Sequence, residues 1–201
     1  APGGVDFCEE HPDQGADVIV GGTRNVLEAA APHRARVVLF SSDYIFDGAA
    51  GPYGEEATPR PISAYGRAKL AAESLVQAYP HGHLIVRTTA VFSWTPGNMN
   101  FAMQVHERLR SGRPLPAAND QWCNPTLAEY LADACLRLTL SPDCGTFNIV
   151  GRDRMPRSEL AAALARVMAL DPALIQAVPT SELHQKARRP LQGGLRTDKL
   201  L

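Results

Sequence analysis

The chain has 201 residues, of which 45% are hydrophobic and 20% charged, with a formal net charge of -1. That length supplies one packed domain or slightly more, with enough chain for a real core. A near-zero charge gives no electrostatic grip on nucleic acid or an anionic membrane. No stretch approaches the roughly 20 apolar residues of a membrane span, and no signal-peptide pattern is present, so a cytoplasmic protein is expected. The four cysteines (Cys8, Cys123, Cys135, Cys144) show no C-x-x-C spacing. They are expected to be reduced and mostly buried. The six histidines are scattered outside any H-E-x-x-H frame, so no metal is expected.

Taken in order, the pattern predicts a helix over 13–30 and a short β-branched strand over 37–40. A Gly/Pro-punctuated loop comes next over 47–61, too long for a simple connector and suited to a substrate lid. The segment from Ser63 reads as a helix capped by that serine, with Leu70, Leu75 and Val76 on its apolar face. A second strand is predicted over 84–87. This alternation implies βαβ units and a parallel sheet. Pro96-Gly97 then opens a segment that becomes helical over 98–110, and Gly112, Pro114, Pro116 and Pro125 break up the stretch after it. Thr126 is placed to cap a helix reaching residue 138, with Glu129 in the capping-box position. An amphipathic helix is predicted over 157–169, and Asp171-Pro172 starts another turn. No repeats or low-complexity tracts occur. The fold class is therefore α/β: a doubly wound parallel sheet with a smaller region beside it. Residues 1–92 are assigned to the first, with a further sheet strand near 145–150, and residues 93–201 mainly to the second.

The chemistry concentrates where the first strand meets the Ser63 helix. In an open α/β sheet, ligands bind beyond the carboxyl ends of the strands, which places Ser42 at a site rim. Tyr65 and Lys69 share one helix face as an i, i+4 pair. A free tyrosine titrates near 10; a nearby ammonium stabilises the phenolate and makes Tyr65 a usable general acid or base. An isolated Y-x-x-x-K arises often by chance on amphipathic helices. The strand-end serines upstream and the Gly/Pro loop between favour a site.

The segments SSDYIFDG and GPYGEEATPRPISAYGRAKLAAE resemble the extended short-chain dehydrogenase/reductase superfamily, and within it the dTDP-4-dehydrorhamnose reductase-like branch. The likeness continues through VDFCEEHPDQGADVIVGGTRNVLEAA, LIVRTTAVFS, DQWCNPTLAEYLADA, GTFNIVG and KARRPLQGGLRTDKL. The resemblance implies that Ser42 polarises a substrate carbonyl, Tyr65 donates the proton, and Lys69 lowers the Tyr65 pKa while binding the nicotinamide ribose. It sets Asp43, Tyr44 and Ala90 against the substrate, and Thr88 and Thr89 beside the nicotinamide of NADPH or NADH. Asp43 can equally cap the loop, and Tyr44 with Phe46 can pack on the sheet edge.

Three departures stand out. Ile19 occupies the position where the superfamily usually carries Asn in a proton relay. Ala90 stands where rhamnose-forming reductases often carry Trp, and the tail reads R-P-L-Q-G-G without a serine after R-P. No strand-linked G-x-x-G-x-x-G turn is present to hold a pyrophosphate. The resemblance implies the carboxyl-terminal part of a Rossmann-like, doubly wound sheet with a smaller substrate-binding region, with about sixty residues (roughly two βα units) preceding Ala1; without them, poor dinucleotide binding is expected. The leading expectation is NAD(P)H-dependent reduction of a nucleotide-linked 4-keto sugar, with a homodimer possible. The alternatives are a sugar-nucleotide epimerase or dehydratase, and a non-catalytic binding partner resembling the β subunit of methionine adenosyltransferase.

Overall fold

A computed structural model describes residues 4–95 and 100–200. It opens with α1 (Gly4–Glu10) and α2 (Pro12–Ala16); a π-helical turn, Asp17–Gly21, carries the chain into α3 (Gly22–Ala30). The predicted single helix is thus continuous but widened in the middle. Gly21 and Gly22 weaken it there, and the Thr23 hydroxyl donates to the Ile19 carbonyl at 2.6 Å. No helix among the described residues is long and apolar enough to cross a membrane.

Strand β1 (Val37–Ser42) runs two residues beyond the predicted strand, because Ser41 and Ser42 still find backbone partners in Arg87 and Thr88 of the next strand. Helix α4 (Ala64–Gln77) connects β1 to β2 (His83–Thr88). The Ser63 side chain caps α4 by accepting from the Gly66 N–H, and Glu9 of α1 accepts from the Ala64 N–H at 2.8 Å. Leu70 and Leu75 are only half-buried; the face of α4 that is fully buried carries Ala64, Ala68, Ala72 and Val76. Small side chains there let the helix lie close to its neighbours.

After β3 (Val91–Phe92), the expected helix opening at Pro96, Gly97 and Asn98 lies outside the described residues. Helix α5 spans Phe101–Arg110, with Asn100 accepting from the Ala102 and Met103 N–H groups. Then come β4 (Leu115–Ala118), β5 (Trp122–Cys123), β6 (Thr126–Leu127), α6 (Ala128–Leu140), β7 (Gly145–Asn148), β8 (Met155–Pro156), α7 (Arg157–Val167) and β9 (Ile175–Val178).

Strands β1, β2 and β7 form a parallel sheet in the order β1-β2-β7. Alternation along β2 sends Leu84 and Val86 towards Leu131, Cys135 and Leu138 of α6, and Ile85 towards Leu27 and Val76 of α3 and α4. Both faces are therefore covered by helices, which is why these strands read as near-continuous apolar runs. A second cluster holds α5 and α7 against β4, with Val105, Leu109, Leu115, Leu160 and Leu164 at its centre. Strand β4 pairs with β9, and Pro116 is exposed within it, in keeping with a proline on a two-stranded ribbon.

Two expectations fail here. Thr126 does not cap α6; its hydroxyl donates to the Asn124 carbonyl at 3.0 Å and accepts from the Gly151 N–H at 3.2 Å. A fully buried hydroxyl is better satisfied by that bridge than by a helix end. Nor is the 47–61 loop a free flap. It pairs with residues 190–196 through Gly51 N–H to Gln192 (3.0 Å), Gln192 N–H to Gly48 (2.7 Å), Tyr53 N–H to Gly194 (3.0 Å) and Arg196 N–H to Tyr53 (2.9 Å).

Candidate active site

Three residues named from the sequence meet at the carboxyl end of β1. Ser42 ends the strand: its hydroxyl donates to Asp43 Oδ1 at 3.2 Å and accepts from the Tyr44 N–H at 3.3 Å. Tyr65, in the first turn of α4, interacts with that hydroxyl. The Tyr44 ring meets the Tyr65 ring edge-on, centroids 5.7 Å apart and planes at 83°. What brings α4 this close is Gly66, where a Cβ would sit 2.1 Å from the Tyr44 carbonyl oxygen. The glycine after Tyr65 is thus a close-approach residue, and it sets the Tyr65–Ser42 geometry.

Lys69 lies one turn further along. Its Nζ is 5.9 Å from the Tyr65 ring centroid and donates to the Phe40 carbonyl at 2.8 Å. The expected lowering of the Tyr65 pKa does not occur. Burial pushes the phenol up to about 12, the nearby Tyr44, Asp43 and Cys8 add to the rise, and Ser42 opposes it. Burial also lowers the Lys69 pKa, against Glu73, which raises it. The ammonium is spent on a backbone carbonyl, while the phenol has lost its water; desolvation wins.

Asp43 is buried, and burial raises its pKa despite a 3.2 Å hydrogen bond from the Gly194 N–H and interactions with Thr89 and Ser42. It ties the strand end to the tail, so its loop-fixing role is real. Tyr44 is likewise pushed up by burial, against the charges of Arg157 and Arg189. Thr88 sits opposite Ser42 in the sheet register, and its buried hydroxyl has no hydrogen-bond partner among the described residues. Ala90 adopts φ 45°, accepts from the Thr126 N–H at 3.3 Å and packs its methyl on the second cluster. Ile19, in the position of a relay asparagine, is buried with Cys8, Ala64, Ala68 and Ala72, with Tyr65 packed against them.

The geometry now has a counterpart in known proteins. A family model described as the RmlD substrate binding domain matches residues 2–201. The chain belongs to that family. It is 34% identical over 206 residues to dTDP-4-dehydrorhamnose reductase of Escherichia coli, covering 97% of this chain and 68% of that protein. It is 29% identical over 198 residues to methionine adenosyltransferase 2 subunit beta of Bos taurus, covering 95% of this chain and 57% of that protein. The crystal structure of dTDP-4-dehydrorhamnose reductase from Bacillus anthracis in complex with NADP superposes with a TM-score of 0.92 at 25% identity, covering 98% of this chain and 70% of that one. The chain thus spans between about half and seven-tenths of these relatives' lengths. The fold is the Rossmann-like fold of dehydrogenases and reductases.

Several residues around the site escape sequence reasoning. Arg87 of β2 donates to both Glu73 carboxylate oxygens (3.1 and 2.7 Å) and to the Glu55 carbonyl at 2.9 Å. All three residues are buried. This pair clamps α4 to the sheet and to the 47–61 loop. Glu73 gives one signal in the sequence, as a charge on the sheet-facing side of an otherwise apolar helix. Asn124, whose Oδ1 accepts from the Leu195 N–H at 2.9 Å, and the arginines at 154, 157 and 189 give none, because their partners are distant in sequence.

Proposed function

We propose that this chain carries the proton-donating and substrate-facing part of an NAD(P)H-dependent reductase of a nucleotide-linked 4-keto sugar. The observation that carries this reading is a half-buried, protonated Tyr65 beside the Ser42 hydroxyl at a strand end. Reduction needs a proton donor, and a phenol pushed up to about 12 remains one throughout the physiological range. Ser42 would hold the keto oxygen by hydrogen bond, and Tyr65 would pass its proton to that oxygen, leaving an alcohol on the sugar.

Unmet chemistry points to the residues that could receive the dinucleotide. The Thr88 hydroxyl at the sheet end is buried without a partner among the described residues, and Lys69, which donates to the Phe40 carbonyl, keeps two further N–H donors. Both fit a nicotinamide ribose, and the presence of NADP in the superposed Bacillus anthracis reductase supports the assignment. When bound, the nicotinamide supplies the hydride. Ile19 leaves no polar side chain at the relay position, so the proton returning to Tyr65 would have to come by way of Ser42 or directly from water.

The test is NAD(P)H oxidation with dTDP-4-keto-6-deoxy sugars. Tyr65→Phe is expected to lower kcat by about 10²–10⁴-fold while leaving cofactor affinity nearly unchanged. Near-normal turnover in that variant would remove Tyr65 from the mechanism. The likeness to methionine adenosyltransferase 2 subunit beta motivates a second reading, a binding partner without turnover. An intact protein that binds NADPH but reduces no dTDP-keto sugar would favour it.

A further inference from the structure

Helix α1 meets the segment 186–189 through a cation that reaches into the site. Asp6 Oδ1 accepts from the Ala187 N–H at 2.9 Å and from the Arg189 guanidinium at 2.7 Å. The pair runs from the surface inwards: the Asp6 side chain is 37% exposed and that of Arg189 only 8%. At the inner end, the guanidinium carbon of Arg189 stands 5.8 Å from the Tyr44 ring centroid, and the group also interacts with the Tyr44 hydroxyl. The Arg189 Nε is buried with no hydrogen-bond partner among the described residues.

A simple clamp between α1 and this segment does not require a buried arginine. The Ala187 N–H already supplies one, and Lys186 adds an exposed pair with Glu10 at 3.7 Å. Burying a guanidinium with a donor unmet costs more than an apolar side chain of similar size in the same space. What Arg189 adds is its contact with Tyr44. The Tyr44 backbone is fixed from two sides: its N–H donates to Ser42 Oγ at 3.3 Å, and its carbonyl oxygen lies against Gly66. The ring itself is held by its neighbours, Arg189 at 5.8 Å and Tyr65 edge-on at 5.7 Å. Without Arg189 the Tyr44 ring can turn away, and Tyr65 loses the neighbour that covers it.

We infer that Arg189 is a positioning residue: anchored by Asp6, it holds the Tyr44 ring edge-on against Tyr65 and so keeps water from the Tyr65 phenol. Its consequence for turnover rests on the reductase reading above, in which Tyr65 gives the proton. Around Tyr65 stand Asp43 and Tyr44 from the strand end, Cys8 and Glu9 from α1, and Lys69 from its own helix. Arg157 and Arg189 act on Tyr44. Removing Arg189 leaves every group around Tyr65 in place. Loss of a cation by itself would push the phenol further up, whereas entry of water brings it down, so the sign of the change separates the two effects.

The experiment is an ultraviolet difference titration of Arg189→Met against the same variant carrying Tyr65→Phe, which isolates the Tyr65 ionisation. In wild type that ionisation lies at about 12. In Arg189→Met it should begin about one pH unit lower or more, as water reaches the phenol. With dTDP-4-keto-6-deoxy sugars, kcat should fall about tenfold or more while the KM for NAD(P)H stays nearly constant, because the donor is misplaced and the cofactor is not. Should Arg189→Met not fold by circular dichroism, Arg189→Gln removes the charge and gives the same readout. A folded variant whose Tyr65 ionisation is unchanged or moves upward would overturn the inference and leave Arg189 as a clamp. A downward shift in the variant, in a protein whose wild type reduces no dTDP-keto sugar, would support the positioning role and sink the reductase reading alone.

Discussion

At the scale of single residues, the Tyr65 phenol shows how burial and charge compete. It faces Ser42, the edge of Tyr44 and the apolar cluster of Cys8, Ala64 and Ala68, while the Lys69 ammonium donates to a backbone carbonyl. Its pKa rises from 10.0 to about 12. The consequence for stability has a definite sign. The folded pKa exceeds the unfolded one, so the contribution of the buried neutral phenol is fully present below pH 10 and is lost as pH rises towards 12. An ultraviolet difference titration of wild type against Tyr65→Phe should show no Tyr65 ionisation near pH 10. Ionisation at or below that value would mean that Lys69 reaches the phenolate more strongly than its 5.9 Å separation implies.

At the scale of elements, the amino end of α4 positions the chemistry, and it is assembled from distant parts. Ser63 caps locally, Glu9 of α1 caps from afar, and Gly66 lets the helix touch the turn after β1. Gly66→Ala would force a Cβ to 2.1 Å from the Tyr44 carbonyl oxygen, so the helix must shift. Overpacking of this kind costs about 1–3 kcal/mol. Urea unfolding should show that loss, and turnover should fall further than stability because Tyr65 moves with the helix. A variant as stable and active as wild type would show that α4 has room to spare. The same helix carries the Glu73–Arg87 pair, where breaking one partner leaves the other buried and uncompensated.

At the scale of the whole molecule, the 47–61 loop and the 190–196 tail act as one element across the site. Gly48, at φ +73°, faces Pro190, where a Cβ would approach the Pro190 Cα to 2.4 Å. A Cβ on Gly51 would come closer still, 2.1 Å from the Gln192 carbonyl oxygen. Gly48→Ala should therefore separate the two segments. Hydrogen exchange is the measure: the Gly51, Tyr53 and Gln192 amides should exchange faster, with the β2 amides unaffected. Wild-type protection at those amides would mean that the pairing does not depend on this close approach. Because Asp43 accepts from Gly194 in the same tail, undocking would also loosen the turn that holds Ser42.

Elements with local signals are legible in the amino-acid order alone. The apolar runs at 37–40 and 84–86 announce the two parallel strands, and Ser63, Tyr65 and Lys69 emerge from one capping signal and one helical repeat. Ser42, Tyr65 and Lys69 can be brought together on paper because strand ends and helix faces are periodic. Other features exist only in the folded chain. That Thr126 bridges Asn124 and Gly151, that a lid is a docked strap, and that Glu73 finds Arg87 depend on contacts between residues far apart along the chain. The acidity of Tyr65 belongs to this second class as well. The i, i+4 spacing of Tyr65 and Lys69 gives their proximity, but the water excluded by Tyr44 and the α1–α3 cluster sets the pKa. Exclusion of water is a property of packing, which no local pattern encodes.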